Sequence, residues 1–119
     1  MTVLIDYTKG FFETTEGDGV GTVTGNATLD LSTGSVFTHT PSANVTYTFT
    51  NPPTSGTSSS FTLKVTPSAT ITVTWPSSVI WSGGTTPTAP ANGETDVYTF
   101  YTDDGGTTYY GFQVGDALA

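Results

Sequence analysis

The stretch TITVTWPSSVIWSGGTTPTAP, residues 70–90, contains both tryptophans of the chain and no charged residue. Its first half alternates Ile71, Val73 and Trp75 with threonines, which is the pattern of a strand with one buried face. Pro76 cannot donate a hydrogen bond to a sheet, so the strand is predicted to end there. A second apolar run, VIW, follows after two serines. The stretch therefore predicts a corner at which the chain bends from one sheet to another.

The same alternation recurs along the chain and predicts an all-β fold. NVTYTFT and SFTLKVT each place three apolar side chains on one face and threonines or a lysine on the other. Seven or eight short strands with turns at intervals of about ten residues are typical of a single β-sandwich or jelly-roll-like domain. The predicted core residues are Leu29, Leu31, Val45, Tyr47, Phe49, Phe61, Leu63, Val65, Ile71, Val73 and Trp75.

Two hairpins are predicted. NATLDLS and GSVFTHT are separated by one short turn, and ETDVYTFYTDDGGTTYYGFQV turns at residues 103–106, since tight turns need residues that accept a positive φ. The strands of the second hairpin carry aromatic residues on both faces, so each is expected to be central in a sandwich or to lie against another subunit. Proline-, glycine- and serine-rich segments at 51–59 and 82–93 are predicted connections.

Residues 1–24 are predicted to form an N-terminal arm ahead of a sandwich domain at 25–119. The arm combines an apolar run with the acidic, glycine-rich stretch EGDGVG, and it lacks the pattern of a signal peptide. Its aromatic residues Tyr7, Phe11 and Phe12 are predicted to contact a neighbouring subunit or a partner. The alternative is that the segment forms a first edge strand of the same domain.

Composition excludes several classes of function. The net charge is −8, and Lys9 and Lys64 are the only lysines or arginines. Binding to nucleic acid or to an anionic membrane surface needs many more cations, so neither is expected. No apolar run approaches the length of a membrane span, about 20 residues. The absence of cysteine excludes disulfides, thiolate zinc sites and a cysteine nucleophile.

The sequence offers few candidates for catalytic residues. His39 is the only histidine, and the sequence around it supplies neither a partner nor a cleft. Calcium is the best of the metal options, with Asp96, Asp103 and Asp104 as oxygen ligands. However, no loop has EF-hand spacing, and aspartates are ordinary turn residues. No catalytic residue, metal or cofactor is therefore predicted, and the chain is not expected to be an enzyme.

The two tryptophans leave two interpretations open. Trp75 continues a buried strand face, so burial is expected for it. Trp81 precedes a glycine-rich loop and either covers the end of the sandwich or stands exposed. If exposed, Trp81 would join Tyr109 and Tyr110 in an aromatic contact surface able to stack on a sugar.

Four segments carry a resemblance to a known family: GNATLDL at 25–31, NPP at 51–53, WPSSVIW at 75–81 and DGGTTYYG at 104–111. Together they resemble a threonine-rich β-module of tailed-bacteriophage virion proteins, chiefly from phages of cyanobacteria and marine bacteria. The resemblance covers about residues 25–112, and WPSSVIW is its most specific part.

The resemblance implies a non-enzymatic virion structural protein. A short arm followed by one β-domain suits a trimeric capsid decoration or cement protein, assembled in the host cytoplasm and attached to the head. Its expected partners are the major capsid protein or other virion proteins, with Tyr7, Phe11 and Phe12 as contacts. The alternatives are a tail-fibre or receptor-binding tip and, in another class, a carbohydrate-binding module that recognises a surface glycan.

Overall fold

The structure, a computed structural model, describes residues 26–119 and confirms the all-β prediction. The expectations about Tyr7, Phe11 and Phe12 lie outside these residues. In the described part, no helix is long and apolar enough to cross a membrane. A short 3₁₀ turn spans Ser82–Gly84, and the strands are β1 (Ala27–Asp30), β2 (Val36–His39), β3 (Val45–Thr50), β4 (Ser59–Val65), β5 (Val73–Thr74), β6 (Val79–Trp81), β7 (Thr95–Thr102) and β8 (Tyr109–Leu118).

The strands form two sheets that enclose one core. The small sheet has the order β1-β3-β5 and the large sheet the order β2-β4-β7-β8-β6. The first six strands alternate between the two sheets, and the pairs β1–β3, β3–β5 and β2–β4 are parallel. Parallel neighbours need a crossover connection, and here each crossover runs through a strand of the opposite sheet. The antiparallel hairpin β7–β8 is inserted between β4 and β6.

The predicted corner between Trp75 and Val79 is confirmed. β5 is an edge strand of the small sheet and β6 is an edge strand of the large sheet, so the chain changes sheets between them. The Val79 amide closes the turn by donating to the Pro76 carbonyl at 3.1 Å. Pro76 ends β5 because it has no amide hydrogen to continue the ladder.

The first predicted hairpin is wrong, because β1 and β2 lie in different sheets. The carboxylate of Asp30, at the end of β1, accepts hydrogen bonds from the Ser32 amide and from the Asn51 side chain, each at 3.0 Å. These bonds tie the turn after β1 to the end of β3. The chain is thereby directed across the edge of the sandwich instead of back along β1.

The second predicted hairpin is confirmed. β7 and β8 pair antiparallel, and both are internal strands of the large sheet. In the turn, Asp104 accepts hydrogen bonds from the Thr108 amide at 2.9 Å and from the Thr102 hydroxyl at 3.1 Å. Gly105 and Gly106 have φ values of 70° and 83°, which glycine adopts without a steric penalty.

The core confirms the alternation of β3 and β4, whose apolar residues point inward. Of the predicted core residues, Trp75 is only half-buried, as are Leu31, Phe49 and Val73 at the margin. Trp75 lies at an open side of the sandwich because β5 contains only two residues. The buried core also includes side chains outside the predicted core list: Phe37, His39, Trp81, Tyr98, Phe100 and Tyr109.

Candidate functional site

The outer surface of the large sheet carries a cluster of exposed apolar side chains, here called the apolar face. It consists of Ile80, Tyr110, Phe112 and Val114, whose exposed fractions are 54%, 43%, 45% and 62%. Tyr110 and Phe112 alternate along β8 and therefore share one side of it, and exposed Val114 follows them at a register shift of the β7–β8 ladder. Ile80 on β6 is the direct cross-strand neighbour of Tyr110. Exposed apolar clusters on monomeric proteins mark contact sites more often than scattered single residues do.

The packing on the opposite side of β8 explains why the apolar face remains exposed. Tyr109 and Gly111 point into the core, and the Trp81 ring packs against Gly111. A Cβ atom at Gly111 would lie 2.9 Å from Trp81 Cζ3, closer than side chains pack. Glycine therefore allows β6 to lie beside β8 with Trp81 inside. The remaining apolar residues of both strands are left on the outer surface.

A second feature, here called the Trp75 groove, opens at the side of the sandwich. It has a volume of about 640 Å³ and is lined by β3 from Thr46 to Thr50, the corner 75–78, the turn glycines Gly105 and Gly106, and Tyr109. The described residues that line it are all uncharged. That volume lies in the range of ligand pockets, about 300–1,000 Å³.

Trp75 forms the aromatic wall of the groove. Its ring stacks on Tyr47 with centroids 5.0 Å apart and meets Tyr98 edge-on at 4.8 Å. It also contacts Trp81 at 5.2 Å, so the indole is anchored from the core side. Only part of Trp75 is exposed to the groove.

Within residues 26–119, the floor of the groove is an edge of β3 with no paired strand beyond Thr46. β5 pairs only with Val45 and Thr46, and the Val45 amide donates to the Thr72 carbonyl on that side at 3.0 Å. Because every second residue of a parallel strand faces the same neighbour, Tyr47 and Phe49 direct backbone groups to the groove. The next ladder donor in this register would be residue 76, which is proline.

The predicted exposed aromatic surface of Trp81, Tyr109 and Tyr110 needs correction. Trp81 is 8% exposed and Tyr109 is 3% exposed, whereas Tyr110 lies on the apolar face. Tyr109 is buried because its ring packs against Phe49 with centroids 4.9 Å apart. The sequence analysis did not predict that Phe112 and Val114 are exposed beside Tyr110 on the apolar face. The signal for them was the presence of apolar residues on both faces of the second hairpin.

His39 is a packed strand residue. It is fully buried on β2, and its Nδ1 lies 2.7 Å from the Tyr47 hydroxyl. Burial raises the pKa of Tyr47, so this phenol stays neutral at physiological pH. The pair contributes a buried polar contact between the two sheets, away from the exposed surfaces.

The three aspartates considered as calcium ligands do not converge. Asp96 lies at the start of β7 and Asp103 and Asp104 follow its end, which separates them by more than about 20 Å. Asp96 is 1% exposed and accepts hydrogen bonds from Gln113 Nε2 at 2.9 Å and from the Ala117 amide at 2.8 Å. Within residues 26–119, no three acidic, histidine or cysteine side chains are grouped to hold a metal.

Residues 26–119 form an all-β sandwich that carries the apolar face and the Trp75 groove. Comparisons with models of protein families, with curated proteins and with solved structures returned no match. The function proposed below therefore rests on the surfaces of this chain and on the resemblance of its sequence segments.

Proposed function

We propose that this chain is a non-enzymatic virion structural protein, with decoration of a phage head as its role. The single observation that carries the proposal is the apolar face, which gives a solvent-exposed sheet the chemistry of a contact surface. The resemblance of the WPSSVIW corner and the DGGTTYYG hairpin to phage virion modules supports the virion assignment.

The apolar face suits contact between copies of the chain. An aromatic side chain brings about 150–250 Å² of surface, so two half-exposed rings with Ile80 and Val114 present a few hundred Å². A standard interface buries about 800 Å² on each partner. The apolar face would therefore form the centre of a contact in a trimer, surrounded by a polar rim.

The charge of the chain shapes this association. Each copy has a net charge of −8, so copies repel one another at low ionic strength. Added salt screens this repulsion with a Debye length of about 8 Å at physiological strength. Association through the apolar face should therefore strengthen with salt, which is the opposite of an interface held by ion pairs.

The proposal also gives the N-terminal residues a role in attachment. Tyr7, Phe11 and Phe12 are proposed to contact the major capsid protein or another virion protein, while the sandwich projects outward. The corresponding location is the virion, after assembly in the host cytoplasm. A tail-fibre or receptor-binding tip is the alternative. A surface glycan is a weaker candidate partner, because Trp81 and Tyr109 of its proposed stacking surface are buried.

Self-association is tested with substitutions inside and outside the apolar face. Val114 lies within the apolar face, whereas Val36, which is 51% exposed, lies on β2 at the far edge of the large sheet. Light scattering after gel filtration is expected to show a trimer for the full chain and for Val36→Thr. Phe112→Thr combined with Val114→Thr should lower the mass toward that of a monomer. A monomeric full chain, or a double variant that remains trimeric, would contradict association through this face.

The virion assignment is tested on particles. Antibodies against the chain are expected to label phage heads in electron micrographs. Labelling of fibre tips would favour the alternative, and particles without label would contradict both. Deletion of residues 1–20 should leave the circular dichroism of the domain intact but abolish retention on particles. Retention equal to that of the full chain would show that the arm is not the attachment device.

A further inference from the structure

We propose that the Trp75 groove binds an uncharged oligosaccharide, with the Trp75 indole as the stacking surface and the surrounding hydroxyl groups as hydrogen-bonding partners. The inference goes beyond the proposed role in the virion and does not depend on it. The site differs from the predicted aromatic surface of Trp81, Tyr109 and Tyr110, because Trp81 and Tyr110 do not line the groove.

The distribution of charge in the chain favours a neutral ligand. The described residues that line the groove are uncharged, although the chain has a net charge of −8. An acidic sugar would be repelled by this net charge. It would also find no cation in the groove, because Lys64, the one lysine or arginine of residues 26–119, lies on β4 in the other sheet. A cationic ligand would leave its charge unpaired there, which is unfavourable in a partly desolvated site.

The polar groups of the groove suit a ligand that consists of hydroxyl groups. Five serines and threonines line it: Thr46, Thr48, Thr50, Ser77 and Ser78. Within residues 26–119, the side-chain hydroxyls of these five residues form no hydrogen bond to another residue. Each hydroxyl both donates and accepts, as does each hydroxyl of a sugar, so the two sets can pair in several arrangements. A purely apolar ligand would instead cover these hydroxyls without giving them partners, which is unfavourable.

Trp75 supplies an aromatic surface that is held in place before any ligand binds. Tyr47 stacks on the indole with ring centroids 5.0 Å apart, and Phe100 packs against it at 5.5 Å. The C–H groups on one face of a pyranose ring are apolar and weakly positive, so they are attracted to the negative face of an aromatic ring. Because the indole is already ordered, contact with a sugar costs the protein little side-chain entropy.

A peptide strand added to the edge of β3 is the competing occupant of the groove. β5 pairs with Val45 and Thr46, so within residues 26–119 the edge left for a ligand is residues 47–50. This edge offers about three backbone hydrogen bonds, which is short for strand addition because strands usually have about five or six residues. The volume of about 640 Å³ suits a di- or trisaccharide, whose hydroxyls can use the same backbone groups.

The first test follows proton–nitrogen correlation spectra of the full chain during addition of four neutral sugars: maltotriose, mannotriose, galactotriose and triacetylchitotriose. Each is added to about 20 mM, which fills most of a site with a Kd in the low millimolar range. With at least one sugar, the Trp75 indole signal and the amides of Thr50 and Ser77 are expected to shift together, while the amide of Thr62 on β4 stays in place. No shift with any sugar, or shifts confined to Tyr110 on the apolar face, would overturn the proposal.

Two further ligands test the chemical class. Trigalacturonate is the charged comparison for galactotriose and is expected to cause no shift, because the groove contains no cation to pair with it. An acetylated threonine–valine hexapeptide represents an added strand and is also expected to cause none. Binding of trigalacturonate as tight as that of the neutral sugars would contradict the charge argument. Binding of the hexapeptide without binding of any sugar would assign the groove to a peptide strand.

The second test uses matched variants and the sugar that binds most tightly. Thr50→Val with Ser77→Ala removes two hydroxyls of the groove, and Thr85→Val with Ser82→Ala makes the same change beside Trp81, outside the groove. The groove variant is expected to raise Kd about tenfold through two lost hydrogen bonds, and the control to stay within about twofold. Equal Kd values for the two variants would overturn the proposal.

Trp75→Phe tests the stacking surface separately. Phenylalanine keeps an aromatic ring against Tyr47 but offers a sugar a smaller surface, so Kd is expected to rise about threefold. Circular dichroism establishes that each variant is folded before binding is measured. An unchanged Kd in folded Trp75→Phe would show that the indole does not contact the sugar and would overturn the assigned role of Trp75.

Discussion

Replacement of Gly111 by alanine is expected to destabilise the fold by steric overlap with Trp81. The new Cβ atom would lie 2.9 Å from Trp81 Cζ3, 2.9 Å from Val79 Cγ1 and 3.0 Å from Trp81 Cε3. Trp81 is buried and also packs against Phe100 with ring centroids 5.6 Å apart, so the indole has little room to move inward. The methyl group must therefore push β6 away from β8 or shift the ring toward solvent.

The expected change in the free energy of unfolding for Gly111→Ala follows from two opposing effects. Overpacking a core by one methyl group costs about 1–3 kcal/mol. Removing a glycine from a strand interior returns about 0.5–1 kcal/mol, because the unfolded chain loses conformational freedom. The balance for Gly111→Ala is a loss of about 1–2 kcal/mol in the free energy of unfolding. For a domain of this size, that loss corresponds to a decrease of roughly 5–15 °C in Tm.

Gly115→Ala is the matched control on the same strand. There the added Cβ atom meets the tip of Leu118 at 2.7 Å, and Leu118 is 49% exposed and free to rotate away. Its stability should remain within about 0.5 kcal/mol of the unsubstituted chain. Urea titration followed by circular dichroism measures both variants. Trp81→Leu in the Gly111→Ala background should recover part of the loss relative to the sum of the single changes. If Gly111→Ala is as stable as Gly115→Ala, Trp81 does not pack on β8.

Three further predictions concern the aromatic core and the acidic groups. Trp75→Ala should lower the free energy of unfolding by about 3 kcal/mol in a urea titration, and a loss below about 0.5 kcal/mol would remove Trp75 from the core. Burial raises the pKa of Tyr47 and Tyr98 above 10.0, so their neutral forms stabilise the fold below that pH and this contribution is lost as pH rises. Absorbance during alkaline titration should show both phenols ionising only with unfolding; ionisation in the folded state would contradict their burial. Repulsion among ten acidic residues predicts that Tm rises with salt and mild acidification, and a steady fall with salt would contradict this. At lower pH the trend reverses, because hydrogen bonds from Ser32 and Thr108 lower the pKa of Asp30 and Asp104, and their stabilisation is lost as they protonate.

Much of the local structure was predictable because it depends on neighbouring residues. The alternation in NVTYTFT and SFTLKVT specified the inward faces of β3 and β4. The Asp-Asp-Gly-Gly turn required positive φ values, and Pro76 required the end of a strand. These features follow from backbone sterics and from the two-residue period of a strand.

The candidate surfaces could not be predicted to the same degree. In YYGFQV, both faces of the strand are apolar, so alternation cannot show which face is buried. The choice depends on Trp81, which packs against Gly111, a position of β8 without a Cβ atom. This contact buries Tyr109 and leaves Tyr110, Phe112 and Val114 outside. The same contact decides between the two alternatives for Trp81 and places it in the core.

Local properties of the chain can be obtained from its sequence, whereas the choice of strand partners cannot. The sequence alone determines an acidic, cysteine-free all-β chain and the side chains that share each strand face, because charge and alternation are local properties. Only the tertiary structure decides that β1 pairs with β3 instead of β2, and that β5 pairs with only the first two residues of β3. A hydrogen-bond ladder can join any two extended segments, so partners are selected by how the two sheets pack around the shared aromatic core.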